Sequence, residues 1–216
     1  MAQLFHRSTN TLSKATIFGA VFFLAGTLWG LTLLDRSSYM TRAGVVLQQP
    51  VPFSHDHHVS AIGIDCRYCH TSVENAAFAG MPPTATCMNC HSQIWAQSPM
   101  LEPVRASFRS GEPIRWTRVH NLPDFVYFDH SIHLAKGIGC VSCHGRVDRM
   151  PLLSKGSSLK MEFCLDCHRQ PAAEIRPREQ VFNLGWTPPP GFAAERTALA
   201  KEYAVKSVTH CSACHR

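Results

Sequence analysis

Phe128-Asp129-His130-Ser131-Ile132-His133-Leu134-Ala135-Lys136-Gly137-Ile138-Gly139-Cys140-Val141-Ser142-Cys143-His144 holds both patterns that decide how this chain folds. One is a pair of histidines three residues apart, set behind a phenylalanine. The other is Cys-x-x-Cys-His. In a helix, positions i, i+3 and i+4 share one face, so a single short turn presents two thiols and an imidazole together. Two thiols at that spacing add across the two vinyl groups of a haem, and the imidazole of the next residue reaches the iron.

Outward from this stretch the second pattern recurs until every cysteine is used. Cys66, Cys69 and His70 form one unit, Cys87, Cys90 and His91 a second, and Cys140, Cys143 and His144 the third. Cys164, Cys167 and His168 form the fourth, and Cys211, Cys214 and His215 the fifth. Zinc is the rival reading, because paired Cys-x-x-Cys units also build zinc ribbons. Zinc has no need of a histidine directly after the second cysteine. With 13 His in 216 residues, five such followers in five trials would arise by chance roughly once in a million. Thioredoxin-like pairs and a disulfide framework fail for the same reason. The reading is five covalently bound haem c groups, held by ten thioether bonds with five proximal histidines.

A low-spin electron-transfer haem needs a second axial ligand. Phe53-Ser54-His55-Asp56-His57-His58 precedes Cys66 as Phe128 to His133 precedes Cys140, and in both halves a second Cys-x-x-Cys-His follows. This is an internal duplication in pattern. His55, His58, His130 and His133 are therefore the candidate distal ligands, each i, i+3 pair lying on one side of a helical turn and able to serve two neighbouring irons. Pairs of merely solvated histidines would not explain the repeated offset. His57, opposite Ile132 in the repeat, reads as a surface residue. For the fifth iron the candidates are His120, in Val119-His120-Asn121-Leu122-Pro123, and Met150, which follows His144 closely. Met81, Met161 and His210 are weaker, methionine being more often packing than ligand.

Ala15 to Leu34 is a run of twenty residues without formal charge; as a helix it spans about 30 Å, the hydrocarbon thickness of a bilayer. Arg7 and Lys14 before it, with Asp35 and Arg36 after it, weakly favour an inside N-terminus. A cleaved secretory signal would have a shorter apolar region and a small-x-small site, which Leu33-Leu34-Asp35-Arg36 does not offer. Either way the remainder is exported, and covalent haem is attached on the outer, periplasmic side of the bacterial cytoplasmic membrane. The expected organisation is a cytoplasmic N-terminus at 1–14, a transmembrane anchor at 15–34, a linker at 35–52 and a first two-haem module at 53–95. A proline-marked wrapping loop follows at 96–127, a second two-haem module at 128–170, and a connector, helix and fifth haem site at 171–216. The helix is expected over 192–208, with Leu199 and Tyr203 on one face. The fold class is mostly irregular and α: short helices and loops packed around five haems, with very little sheet. The net charge of +6 comes from scattered lysines and arginines and makes no case for nucleic acid.

The Phe-x-His-x-x-His segments before Cys-x-x-Cys-His are similar to those of small multihaem cytochromes c of sulfate-reducing bacteria. One anchor, five haem motifs and Arg118-Val119-His120-Asn121-Leu122-Pro123-Asp124 before the second repeat resemble the pentahaem cytochrome c subunit of alternative complex III. That resemblance implies a non-catalytic electron-transfer subunit of a quinol-oxidising respiratory or photosynthetic complex. The implied partners are an iron–sulfur and molybdopterin-like subunit, quinol-binding integral membrane subunits, a monohaem cytochrome c, and a soluble cytochrome or copper protein as acceptor. Two other readings are a self-contained quinol dehydrogenase cytochrome and a multihaem reductase. The reductase needs an open iron, often on an unusual attachment, and no Cys-x-x-Cys-Lys occurs. The quinol dehydrogenase is disfavoured by the length of chain between Leu34 and Cys66.

Overall fold

The computed structural model describes residues 5–216, so residues 1–4 of the expected cytoplasmic N-terminus lie outside the described residues. The chain divides into two units, Met1–Arg42 and Ala43–Arg216.

The first unit is α1, Ser8–Arg36, followed by the single turn α2, Ser38–Thr41. The polar residues from Ser8 to Lys14 extend the helix ahead of the apolar run, and Ser37 ends it by turning extended at ψ 160°. No residue of α1 is buried. Phe22 and Phe23 stand 72% and 73% exposed, so this helix is made of side chains that the chain itself does not cover. It is long and apolar enough to cross a membrane.

The second unit is built from short helices: α3 Cys66–Cys69, α4 Thr84–His91, α5 Glu102–Ser110, α6 His130–Ala135, α7 Cys140–His144, α8 Met161–Arg169 and α9 Ala193–Glu202. Among the described residues there is no strand, only isolated bridges at Ala43–Lys155, Val46–Ser154 and Ile138–Ile175. The mostly helical and irregular fold expected from the motifs is the fold observed.

Two elements differ from the sequence reading. Within the expected wrapping loop, Glu102–Ser110 is a helix. Pro103 sits in its first turn, where the missing N–H is not needed, and Gly111 closes it at φ 77°. Glu102 holds Arg105 and Arg109 along one side at 2.7 Å each, while Val104 packs with Val51 and Leu101 against Cys87, Met88 and Trp116. At the other end, α9 stops at Glu202, short of Val208. Tyr203 is drawn into the interior, 5% exposed, where its hydroxyl accepts from the Arg178 N–H at 3.3 Å. Ala204 then turns left-handed at φ 49°, which ends the helix.

Side chains alone make only a thin core. Ten hydrophobic residues are buried among those described, and only Ile175 and Val181 are below 2% exposed. A soluble unit of this length ordinarily buries a much larger apolar interior. Its shape therefore depends on something besides side-chain packing.

Candidate functional site

The five Cys-x-x-Cys-His units sit on short helical turns. α3, α4, α7 and α8 carry the first four, and a 3₁₀ turn at Cys211–Ala213 carries the fifth. None of the ten cysteines is in a disulfide. Among the described residues, no three His, Cys, Asp or Glu side chains converge as a zinc centre requires.

The two histidine pairs are built alike although their backbones differ. His130 and His133 lie on α6, whose start is capped by the Asp129 carboxylate accepting from the Ser131 N–H at 2.8 Å. His58 lies within a π-helical turn, Asp56–Ala61, and His55 directly precedes it with no side-chain cap bond. Phe53 meets His55 edge-on at 4.9 Å and stacks on His58 at 4.4 Å. Phe128 meets His130 edge-on at 4.8 Å and stacks on His133 at 4.4 Å. One phenylalanine thus fixes two imidazoles in each repeat, which the sequence displays at the same offset but does not explain.

These imidazoles face the proximal ones. Ring centroids are 6.2 Å apart for His58 and His91, 6.2 Å for His130 and His144, and 6.1 Å for His133 and His168. Two imidazoles bound to opposite faces of one metal, each at about 2.0 Å and with the ring centre about 1.1 Å beyond the nitrogen, stand about 6.2 Å apart. The remaining histidine, His55, lies within range of the charge on His70. The residues present therefore fit a haem at each of these places.

The other ring nitrogen explains why the imidazoles hold their orientation. Nδ1–H donates to a backbone carbonyl in His70 (Gly80, 2.8 Å), His91 (Ile94, 3.0 Å), His168 (Val208, 2.9 Å) and His215 (Phe125, 3.0 Å). It does so in His58 (Ser54), His130 (Ala77) and His133 (Asp129), each at 2.7 Å. That bond fixes the tautomer and turns the Nε2 lone pair outward, the arrangement of a metal-ligating histidine. Nδ1 of His55 is buried without such a partner.

Burial also favours the neutral form of three of these imidazoles. It lowers His144 to about 3, helped by the nearby His120, His130, His70 and His55. It lowers His55 to about 4, and His133 in the same direction. The thiols move the opposite way. Burial pushes Cys140 up to about 11 and Cys143 up to about 12, values that suit no thiolate redox pair. In each case a thiol of another site adds to the effect: Cys66 for Cys140, and Cys167 and Cys164 for Cys143. Cys87 does so for Cys69, and Cys214 for Cys164.

The two candidates for the fifth distal ligand both lie beside the third unit. His120 packs on His144 with centroids 4.2 Å apart, shorter than the spacing of a pair sharing one iron, and its Nε2 accepts from the Gly156 N–H at 3.4 Å. The Met150 sulfur accepts from the Ser154 hydroxyl at 3.8 Å. His215 has Phe125 as its ring neighbour at 5.7 Å. His57 is exposed and stacks on Trp95 at 5.8 Å. His210, Met81 and Met161 are exposed as well.

The family model for cytochrome c7 and related cytochrome c matches residues 51–105 and 126–216, which together are more than half of the chain. The chain belongs to the cytochrome c7 family. It is a multihaem c-type cytochrome, and its haem is covalent haem c. This cytochrome is also similar to a menaquinone reductase, multiheme cytochrome c subunit, of Nitratidesulfovibrio vulgaris, 34% identical over 122 residues. Those residues are 56% of this cytochrome and 51% of that protein, so the chain spans about half the length of the curated relative it matches.

Proposed function

We propose that this cytochrome relays electrons through five haem c groups as the membrane-anchored subunit of a quinol-oxidising complex of the alternative complex III type. The observation that carries the reading is the set of three imidazole pairs 6.1–6.2 Å apart, each pairing a repeat histidine with a Cys-x-x-Cys-His histidine. When bound, haem c supplies a one-electron Fe(III)/Fe(II) couple whose potential its axial ligands set. The proposed distal ligands are His55 for the first site, His58 for the second, His130 for the third and His133 for the fourth. An iron held on both faces leaves no position for a substrate, which favours relay over reduction chemistry. For the fifth site His120 and Met150 remain the proposed candidates by sequence.

The thiol neighbours support a single file. Cys69 lies within range of the charge on Cys87, Cys140 of that on Cys66, Cys143 of that on Cys167, and Cys164 of that on Cys214. Hydrogen bonds agree with two of these junctions: Asn89 Nδ2 donates to the Tyr68 hydroxyl at 3.0 Å, and the Ser207 hydroxyl donates to the His168 carbonyl at 2.8 Å. The sites then follow in the order second, first, third, fourth, fifth. The second and fifth are the ends where partners exchange electrons.

The uncovered apolar surface of α1 supports anchoring in the cytoplasmic membrane, with the haem unit on the periplasmic side. The proposed partners are quinol-binding integral membrane subunits, an iron–sulfur and molybdopterin-like subunit, a monohaem cytochrome c, and a soluble cytochrome or copper protein downstream. The test is quinol-driven reduction followed at the Soret band, in the intact complex and in the purified cytochrome. Reduction in the complex alone is expected. Equal reduction of the isolated cytochrome would instead establish a self-contained quinol dehydrogenase.

A further inference from the structure

Arg176 has no part in the motifs, yet it is 6% exposed and its Nε is buried with no hydrogen-bond partner. It lies in the connector after the fourth unit, where its backbone N–H donates to the Gly137 carbonyl at 3.0 Å and Ile138 bridges to Ile175. The guanidinium sits 5.0 Å from the centre of the Trp186 ring, and Nη1 donates to the Asn183 carbonyl at 3.3 Å. It rests against Gly139, the residue before Cys140. A Cβ there would fall 2.4 Å from Arg176 Cζ and 2.5 Å from Nε, so glycine is what admits the charge to the start of α7.

A packing tether would not need this group. Tethering to one carbonyl and one ring is open to a neutral side chain, whereas enclosing a guanidinium with an unpaired N–H costs free energy. Arginine does not lose its proton in proteins, so the charge at Gly139 is permanent. Glu174 is the acidic group facing it, and that carboxylate also accepts from the Ser142 hydroxyl at 3.0 Å. The Cys140 thiol feels the Arg176 charge against those of Cys66 and Asp65, and Asp65 is itself tied to Arg67 at 2.8 Å.

We infer that Arg176 is a positioning residue for potential: a fixed cation beside Cys140 that makes the third haem easier to reduce, with Glu174 as its partial counterweight. The inference rests on the reading of Cys140 to His144 as a haem site. Oxidised haem iron carries one more positive charge than reduced, so a nearby enclosed cation disfavours the oxidised form.

Spectroelectrochemistry of the full, haem-loaded cytochrome tests this, with the third site identified by the haem-methyl NMR signals that His130→Ala removes. In Arg176→Gln, at the potential where the unmodified third site is half reduced, the reduced-to-oxidised ratio should fall by roughly tenfold. That is the scale of a unit charge about 10 Å away at an effective dielectric of about 20, less the Glu174 offset. Arg176→Lys should restore the ratio, and Glu174→Gln should move it the other way, which keeps the test open should Arg176→Gln not fold. An unmoved third site, equal shifts in the Lys and Gln variants, or a shift spread over all sites would overturn the inference. Absence of the third haem from the unmodified cytochrome would instead remove the haem-site reading itself.

Discussion

His133→Ala removes one half of the pair that faces His168 at 6.1 Å. The imidazole stacks on Phe128 at 4.4 Å and donates through Nδ1 to the Asp129 carbonyl at 2.7 Å. The stack is worth about 1 kcal/mol, and the hydrogen bond about 1 kcal/mol net. The substitution should therefore lower the stability of the haem unit by roughly 2 kcal/mol before any loss of iron coordination is counted. Its spectroscopic effect should be confined to one place. One haem in five becomes high-spin, read as a high-spin EPR signal integrating to one iron per chain, while the other four stay low-spin. His57→Ala is the control, because that histidine is exposed, stacks on Trp95 and meets the His58 ring edge-on at 5.5 Å without the Nδ1 bond that orients His58; it should leave every iron low-spin. An all-low-spin His133→Ala, or conversion of two or more irons, would refute the pairing argument.

Other consequences follow from the same geometry. Gly156→Ala would place a Cβ 2.4 Å from the His144 carbonyl group; it should destabilise the fold by about 1–3 kcal/mol and shift the third site's signals first, as a chemical denaturation curve and NMR would record. Burial holds His144 near 3 and His55 and His120 near 4, against 6.5 for a free imidazole. The unfolded chain therefore takes up protons below about pH 6.5 that the folded chain refuses, so stability is full above that value and is lost as pH falls from about 6.5 toward 4. Coordination to iron shuts out the same protons, so the urea midpoint of the haem-loaded cytochrome should drop between pH 7 and pH 4.5, and a flat profile would contradict the site assignment. Deleting the first unit, through Arg42, should release the haem-loaded remainder from membranes without detergent, whereas the full chain should need it; fractionation and haem absorbance check both.

The parts of this cytochrome legible in its sequence were those fixed by local chemistry. Cys-x-x-Cys-His works only when a single turn presents all three side chains, so the five units could be read from spacing. The Phe-x-His-x-x-His repeat could be read because duplication doubles a weak signal, and its two copies reproduce each other's ring geometry even though one lies on α6 and the other on a π-helical turn. What lay out of reach depends on distant chain segments. The carbonyls that turn each imidazole belong to residues such as Ala77, Gly80, Phe125 and Val208, and every residue has a carbonyl. The buried Ile175, Arg176 and Val181 sit in a segment whose prolines read as an extended connector. Prolines also concealed α5, since Pro103 occupies the one part of a helix where proline fits. Neighbourhood between units separated by dozens of residues, such as Cys66 within charge range of Cys140, carries no sequence mark at all.

Intact-mass measurement of the purified cytochrome after treatment with a thiol-alkylating reagent tests the central claim most directly. Five covalent haems and no alkylated cysteine are predicted, as the proposed commitment of all ten sulfurs to thioether bonds requires. Alkylated cysteines, a mass corresponding to fewer macrocycles, or bound zinc in their place would contradict it.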